Sequence, residues 1–357
     1  MVDLLPRLRE IGTPAGSAQV QVELCVFNGE RTAFYEQLEG MGIRIHALSQ
    51  KPNVYNPLLI PKLRRLMRGF DIVHTHNTAC QLFAAIAKGI GVKGEGTGRC
   101  PKLVTTEHNT DNRRRSKWYL KGGDRWMYSK YDRIICISDQ AETNLTKYLP
   151  CLSDKAITIY NGIDVERFSD AVPVEEWKRD FAGRKVIAMV AAFRLQKDQK
   201  TLIDSFAYLP DDYVLLLVGG GETLADMKAY ASGKEYGERV FFTGVRTDIP
   251  NVMKSADVLV LSTHYEGLSL SNVEGMASGV PFVASDVDGV REVTRGYGVL
   301  FPHGDSKALA EAVLRLTTDG EYRQEVVRRC QKRARQFDIQ TMAEKYAREY
   351  GRLMGEG

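Results

Sequence analysis

An α/β fold of two parallel-sheet domains is what this sequence predicts, on three observations. Short β-branched runs ending in Gly, Asn, Asp or Ser alternate with amphipathic helical patterns, as stacked βα units do. The 357 residues are about twice the usual domain length of roughly 150. Asn161-Gly162-Ile163-Asp164-Val165-Glu166-Arg167-Phe168, followed by a polar stretch with Pro173, is turn-rich enough to be a hinge.

In chain order, strands are expected at 20–27, 71–75, 102–107, 133–137 and 156–160 in the first half. The second half places them at 185–192, 213–218, 239–243, 258–262, 281–284 and 298–301. Each half then holds one sheet, giving domains 1–164 and 165–337. The tail 338–357 reads as one helix with Met342, Tyr346 and Tyr350 on one face, expected to pack back on the N-terminal domain.

Composition excludes several classes. With 43% hydrophobic and 26% charged residues, the chain is neither disordered nor fibrous. A net charge of +4 from 49 basic and 45 acidic residues is too mild to indicate nucleic acid, though it suits anionic small molecules or an acidic membrane face. No apolar run approaches the roughly 20 residues of a membrane-spanning helix, and the opening residues lack the basic flank of a signal peptide, so a cytoplasmic protein is expected. The six cysteines form no Cys-x-x-Cys pair and read as reduced thiols. His74-Thr75-His76 has no further ligand at metal-site spacing.

Open parallel sheets bind ligands beyond the carboxyl ends of their strands. The richest such end runs from Leu259 through Ser262-Thr263-His264-Tyr265-Glu266-Gly267-Leu268-Ser269-Leu270-Ser271 to Glu274. Ser269 or Ser271 can cap a helix over 271–278, leaving backbone N–H groups for a phosphate. Glu266 before the helix and Glu274 in its first turns would flank that anion, an arrangement suited to a sugar diphosphate, since carboxylates accept from diols. The competing reading is a surface helix with acidic residues at its favourable end. A second strand end, Phe193-Arg194-Leu195-Gln196-Lys197-Asp198-Gln199-Lys200, offers Arg194 and Lys197 as a diphosphate clamp, with Lys200 as a solvated turn residue.

Taken together, these residues resemble the retaining glycosyltransferases of GT-B fold often called family 4. The matching features are Glu266 to Glu274, the Arg and Lys after the first strand of the second domain, Asn161-Gly162-Ile163-Asp164 at the crossover, Val245 after Phe242-Thr243-Gly244, and Gly279-Val280-Pro281 leading into Ser285-Asp286-Val287-Asp288-Gly289. The resemblance covers nearly the whole chain. It implies two Rossmann-like domains with sheets facing across a cleft, and transfer of a sugar from a nucleotide donor with retention, no cofactor and no essential metal. Carried over by position, Arg194 and Lys197 hold the diphosphate, Glu266 and the amides of Gly267, Leu268, Ser269 and Leu270 the donor sugar, Glu274 the ribose and Val245 the base. Thr106-Glu107-His108-Asn109 looks like the strand end whose His meets the donor sugar or its phosphate, which makes His108 and Glu266 the catalytic candidates. The family mechanism is drawn as front-face substitution, with the departing phosphate oxygen helping to deprotonate the acceptor.

Two departures accompany the resemblance. The family's Arg commonly stands five residues before the Lys, where this chain has Ala192; Arg194 is two residues on and shares its face in an extended segment. The chain opens as if in the middle of the family's first helix, so the first strand and Gly-rich turn are expected to be missing, from an upstream start or an impaired protein. Asp286-Val287-Asp288 reads as a helix cap rather than a metal triplet. The basic run 112–121, with Trp118 and Tyr119, suits a phosphorylated lipid acceptor or anionic bilayer, against a solvated loop.

The function expected is a hexosyl-transferring enzyme working on a glycan or lipid-linked acceptor in cell-surface polysaccharide synthesis, in the cytoplasm or peripherally on the inner membrane face. Rival readings are a non-catalytic nucleotide-sugar binder and a nucleotide-sugar epimerase, for which no further proton-transfer pair is visible. Gly219-Gly220-Gly221-Glu222 follows a strand but lacks the third Gly of a dinucleotide fingerprint.

Overall fold

In the computed structural model, which describes residues 2–11, 20–51, 53–92, 94, 100–108, 113–267 and 269–355, the chain divides into two compact units, 1–161 with 339–357, and 162–338. The strands of the first are β1 (Glu23–Val26), β2 (Arg44–Ala47), β3 (Ile72–Thr75), β4 (Lys102–Glu107), β5 (Arg133–Cys136) and β6 (Ala156–Thr158). Those of the second are β7 (Lys185–Val190), β8 (Tyr213–Val218), β9 (Val240–Gly244), β10 (Val258–Leu261), β11 (Phe282–Ser285) and β12 (Val299–Phe301). Every strand pairing is parallel.

The first unit departs from the expectation of one sheet. Among the described residues, β1 pairs with β2, while β3, β4, β5 and β6 form a separate sheet in that order. The sequence reading also misses β2: Arg44-Ile45-His46-Ala47 is short, and its outer residues are exposed, so it carries little apolar signal. Burial on both faces explains why the other runs were legible. Leu103, Ile134 and Cys136 enter one core with Leu59, Leu63, Met67 and Phe83. Their neighbours Val104 and Ile135 point the other way, into a core with Leu4, Leu8, Met342 and Tyr346.

The C-terminal helix, Ile339–Met354, completes that second face. Ile339, Met342, Ala343, Tyr346 and Ala347 recur at helical spacing and are buried against the helix Leu4–Ile11 and the sheet. Polar contacts set its register. Tyr346 Oη lies 3.1 Å from Thr106 Oγ1, Tyr350 Oη lies 2.6 Å from His74 Nδ1, and Arg133 Nε stands 3.2 Å from Glu349 Oε2.

The second unit contains all six expected strands, with ends moved by one or two residues, in the order β12-β11-β10-β7-β8-β9. From β7 the chain winds outward through β8 to β9, then returns to the other side of β7 for β10, β11 and β12. The strand order therefore reverses between β7 and β10, the place where open parallel sheets leave a crevice beyond their carboxyl ends. Side-chain caps start several helices here: Asp198 accepts from Thr201 N at 3.1 Å, Asp305 from Ala308 N at 2.9 Å and Asp319 from Tyr322 N at 2.9 Å. Asp164 likewise caps the helix Val165–Ser169 through Arg167 N. Ile163 bridges Asp338, which brings together the two places where the chain passes between units.

One packing constraint governs the helix Leu270–Ala277. A Cβ on Gly275 would lie 2.5 Å from Cδ2 and Cε2 of Phe282 in β11, so the helix rests on the sheet through a bare backbone. Gly275→Ala is expected to lower stability by about 1–3 kcal/mol through overpacking, more than its helix-propensity gain of about 1 kcal/mol. Thermal denaturation followed by circular dichroism checks this, and Phe282→Leu in the Gly275→Ala background should recover most of the lost melting temperature.

Candidate functional site

At the reversal point in 162–338, the segments after β7 and β10 remain joined beyond the strands. Asp198 N donates to Ser262 O at 3.0 Å, Lys197 bridges Thr263 in antiparallel register, and His264 N donates to Gln196 O at 2.9 Å. This stitching sets the side chains. Lys197 Nζ donates to Glu266 Oε1, with only 12% of the Lys197 and 8% of the Glu266 side chain exposed. Gln196 Nε2 donates to Glu266 Oε2 at 3.2 Å and to Tyr265 O at 2.9 Å. The Thr263 hydroxyl lies 3.1 Å from Glu266 Oε1 and 3.0 Å from Gln196 O. The carboxyl group is thus contacted by an amine, an amide and a hydroxyl, the kind of donor set that a buried acidic side chain needs.

Two glycines let other segments reach this core. Gly289 has φ +81°, and a Cβ there would stand 2.2 Å from Glu266 O and 2.4 Å from Gly267 O. Gly221, at φ +151°, would place a Cβ 2.3 Å from Phe193 O. Only a residue without a side chain fits either place.

The sequence candidates fall as follows. Lys197 and Glu266 are joined to each other, so Lys197 does not stand open beside Arg194 as a two-cation clamp. Arg194 is exposed, its carbonyl accepting from Lys197 N at 2.9 Å. Ser269 occupies the cap position of Leu270–Ala277, but its hydroxyl lies 3.0 Å from Ser271 Oγ and makes no cap bond; either serine was expected to supply one. Glu274 is half-buried in the second turn of that helix. Leu270 is partly exposed at its start and Gly267 precedes it, whereas Leu268 lies outside the described residues. Val245 is 79% exposed, directly above Gly220, whose Cβ would meet Val245 Cγ2 at 2.9 Å. Asp286 and Asp288 do not cap a helix as expected: Arg291 engages them at 2.5 and 2.9 Å.

The first unit carries a second polar cluster at the carboxyl ends of β3 and β4. His76 Nδ1 lies 3.1 Å from His108 Nε2, and the His74 and His76 rings stack at 4.4 Å. His74 Nε2 lies 2.8 Å from Thr106 Oγ1. Burial holds His74 well below the usual imidazole range and pushes His76 down to about 3; the neighbouring His108 adds to both shifts. Burial also lowers His108, with Glu107 pulling the other way. His74 and His76 are therefore neutral at pH 7, since a proton there would add charge to a poorly solvated pair, and His108, whose side chain reaches solvent, is shifted in the same direction. Glu107 is buried against Gln81 Nε2 at 2.7 Å, Tyr128 Oη at 2.6 Å and Arg115 Nη2 at 3.1 Å. Arg115 therefore turns inward from the basic run, while Trp118 and Tyr119 stand 84% and 61% exposed. Asn109 and residues 110–112 lie outside the described residues.

Gln196 and Thr263 are site residues that sequence reasoning missed. Their adjacency to Lys197 and Glu266 is visible in the chain, but their convergence on one carboxylate follows only from β7 lying beside β10. The same strand order collects Asp198, His264 and His303, a set able to hold a metal ion.

Comparison with known proteins agrees with this architecture. Residues 10–167 match the family described as Glycosyltransferase Family 4, and residues 174–337 the one described as Glycosyl transferases group 1. The chain is 28% identical over 267 residues to the UDP-Gal:alpha-D-GlcNAc-diphosphoundecaprenol alpha-1,3-galactosyltransferase of Escherichia coli, covering 70% of this chain and 67% of that one. It is 28% identical over 313 residues to the phosphatidyl-myo-inositol mannosyltransferase of Mycobacterium leprae, covering 85% and 79%. Among solved structures, a glycosyltransferase from Rickettsia africae superposes with a TM-score of 0.81 at 16% identity, over 100% of this chain and 94% of that one. Anabaena HepE in complex with UDP gives 0.78 at 20% identity, over 98% and 94%.

Removing one partner of the Lys197–Glu266 pair leaves a buried charge. Lys197→Met should cost about 3 kcal/mol, toward the lower end of the usual range because Gln196 and Thr263 still donate to Glu266. Adding Glu266→Gln should return part of that loss. A double-mutant cycle in urea measures the coupling, which should be clearly nonzero.

Proposed function

We propose, from the premise that the chain belongs to the GT-B glycosyltransferases, that it moves a hexose with retention from a nucleotide-sugar donor to a glycan or lipid-linked acceptor in cell-surface polysaccharide synthesis. The observation that carries this reading is the Lys197–Glu266 pair at the strand-order reversal, immediately before the N-terminus of the helix Leu270–Ala277. A helix start attracts a diphosphate, and the ammonium beside it adds a charge-assisted contact.

In this reading Lys197 shares its protons between Glu266 and the diphosphate, and exposed Arg194 closes on the phosphates from solvent. Glu266 accepts from donor-sugar hydroxyls alongside the backbone N–H groups of Gly267, Leu268, Ser269 and Leu270. Glu274 takes the ribose diol, and the base lies against Val245. The names of the E. coli relative and of the HepE complexes make UDP-hexoses the first donors to test. In the transfer step the anomeric C–O bond to phosphate breaks as the acceptor oxygen bonds the same carbon on the same face. The acceptor proton passes to the departing phosphate oxygen. Glu266, engaged by Lys197, Gln196 and Thr263 and left with acceptor capacity for a sugar hydroxyl, orients and stabilises charge rather than attacking carbon. His108 keeps the catalytic part that the family resemblance implies.

Purified protein with a UDP-hexose and a polyprenyl-diphosphate sugar acceptor should release nucleoside diphosphate. Glu274→Ala and Lys197→Ala should each lower kcat/KM by about tenfold to a hundredfold, the effect of losing one charge-assisted contact. Full turnover in both variants refutes the site; donor-induced thermal stabilisation with no turnover over a panel of acceptors favours a binding protein instead.

The exposed pair Trp118 and Tyr119, flanked by exposed Lys117 and Lys121, supports peripheral contact with an anionic bilayer. No helix among the described residues is long and apolar enough to cross a membrane. Sedimentation with phosphatidylglycerol vesicles should retain the protein, and Trp118→Ala with Tyr119→Ala should release most of it; equal sedimentation of both forms excludes this patch as the contact.

A further inference from the structure

We propose that the second unit binds a divalent transition-metal ion, of the zinc type, through Asp198, His264 and His303. One ligand atom from each residue lies within 4.8 Å of the other two, and His264 Nδ1 is 2.8 Å from His303 Nε2. Metal bonds of 2.0–2.1 Å at tetrahedral angles need nitrogens about 3.3 Å apart, so the two rings, now at 2.8 Å, have to part by only about half an ångström. Both histidines are exposed on connecting segments, so a small turn of each ring meets the requirement without moving a strand.

The donor set has the right chemistry. Two imidazoles and a carboxylate suit zinc, cobalt or nickel, and disfavour magnesium, which prefers an all-oxygen shell. Asp198 is buried and its position is fixed: one carboxylate oxygen caps the helix Gln199–Ser205 through Thr201 N, and its own N–H donates to Ser262 O. A carboxylate has a second oxygen for an ion, so cap and metal bond are compatible. With both histidines at the surface, a fourth coordination position opens to water.

The three residues come from the ends of three strands. Asp198 follows Lys197 after β7, His264 stands two residues before Glu266 after β10, and His303 follows β12. An ion here ties together the two segments that present the Lys197–Glu266 pair and anchors them to the segment after β12. Its effect is to stiffen the donor-binding loops; it takes no part in bond breaking.

The test uses the full chain, stripped with a chelator and then titrated with CoCl2 and ZnCl2. Cobalt should bind saturably at one ion per chain, with visible ligand-field bands that zinc abolishes. Zinc a hundredfold above its Kd should raise the melting temperature by about 5–10 °C, while MgCl2 should not. His264→Ala and His303→Ala should each weaken binding at least about tenfold. Asp198→Asn keeps a capping side chain but loses the charged ligand, so it should weaken metal binding while leaving the metal-free melting temperature nearly unchanged. Absence of saturable binding, or binding that both histidine variants leave intact, overturns the proposal and reduces the pair to a hydrogen bond between two imidazoles.

Discussion

The adjacency of β7 and β10 is the constraint on which the second unit's chemistry depends. Parallel strands with consecutive neighbours would have sent the segment carrying Lys197 and the segment carrying Glu266 to different parts of the sheet. Because the strand order reverses between them, both segments leave side by side and continue to exchange backbone hydrogen bonds as far as His264. A lysine ammonium and a glutamate carboxylate, each almost fully buried, can then meet. Burial makes the pair strongly coupled, since neither charge has enough water to stand alone.

The same economy of space governs the surrounding turns. Gly289 passes beneath the carbonyls of residues 266 and 267, and Gly221 beneath the carbonyl of residue 193. Backbone, not side chain, lies against Glu266 in one place and against the start of the segment leading to Lys197 in the other, so these turns are closely set.

The first unit solves a different problem. Its polar strand ends are buried, so they are satisfied by one another: Glu107 by Gln81, Tyr128 and Arg115, and His74 by Thr106 and Tyr350. The C-terminal helix contributes Tyr346 and Tyr350 to this network although it is more than two hundred residues from β4 in the chain. Such a helix is held by hydrogen-bond geometry as well as by apolar area, which fixes its register on the sheet.

Much of this was legible in the residues themselves. Strands buried on both faces announce themselves as unbroken apolar runs, which is why the eleven expected runs all overlap observed strands, whereas Arg44–Ala47, exposed at both ends, passed unnoticed. The spacing of Glu266, Gly267 and Glu274, with Lys197 before them, pointed to a phosphate-linked sugar because the residue types carry that chemistry wherever they meet. Partnership was not legible. That Lys197 is engaged by Glu266, that Asp286 and Asp288 belong to Arg291, and that Asp198 lies near two histidines 66 and 105 positions further on are consequences of strand order and loop path. Local sequence determines periodicity and chemical type, because both depend on neighbours along the chain; contacts between distant residues depend on how parallel strands are shuffled, and only the folded sheet decides that.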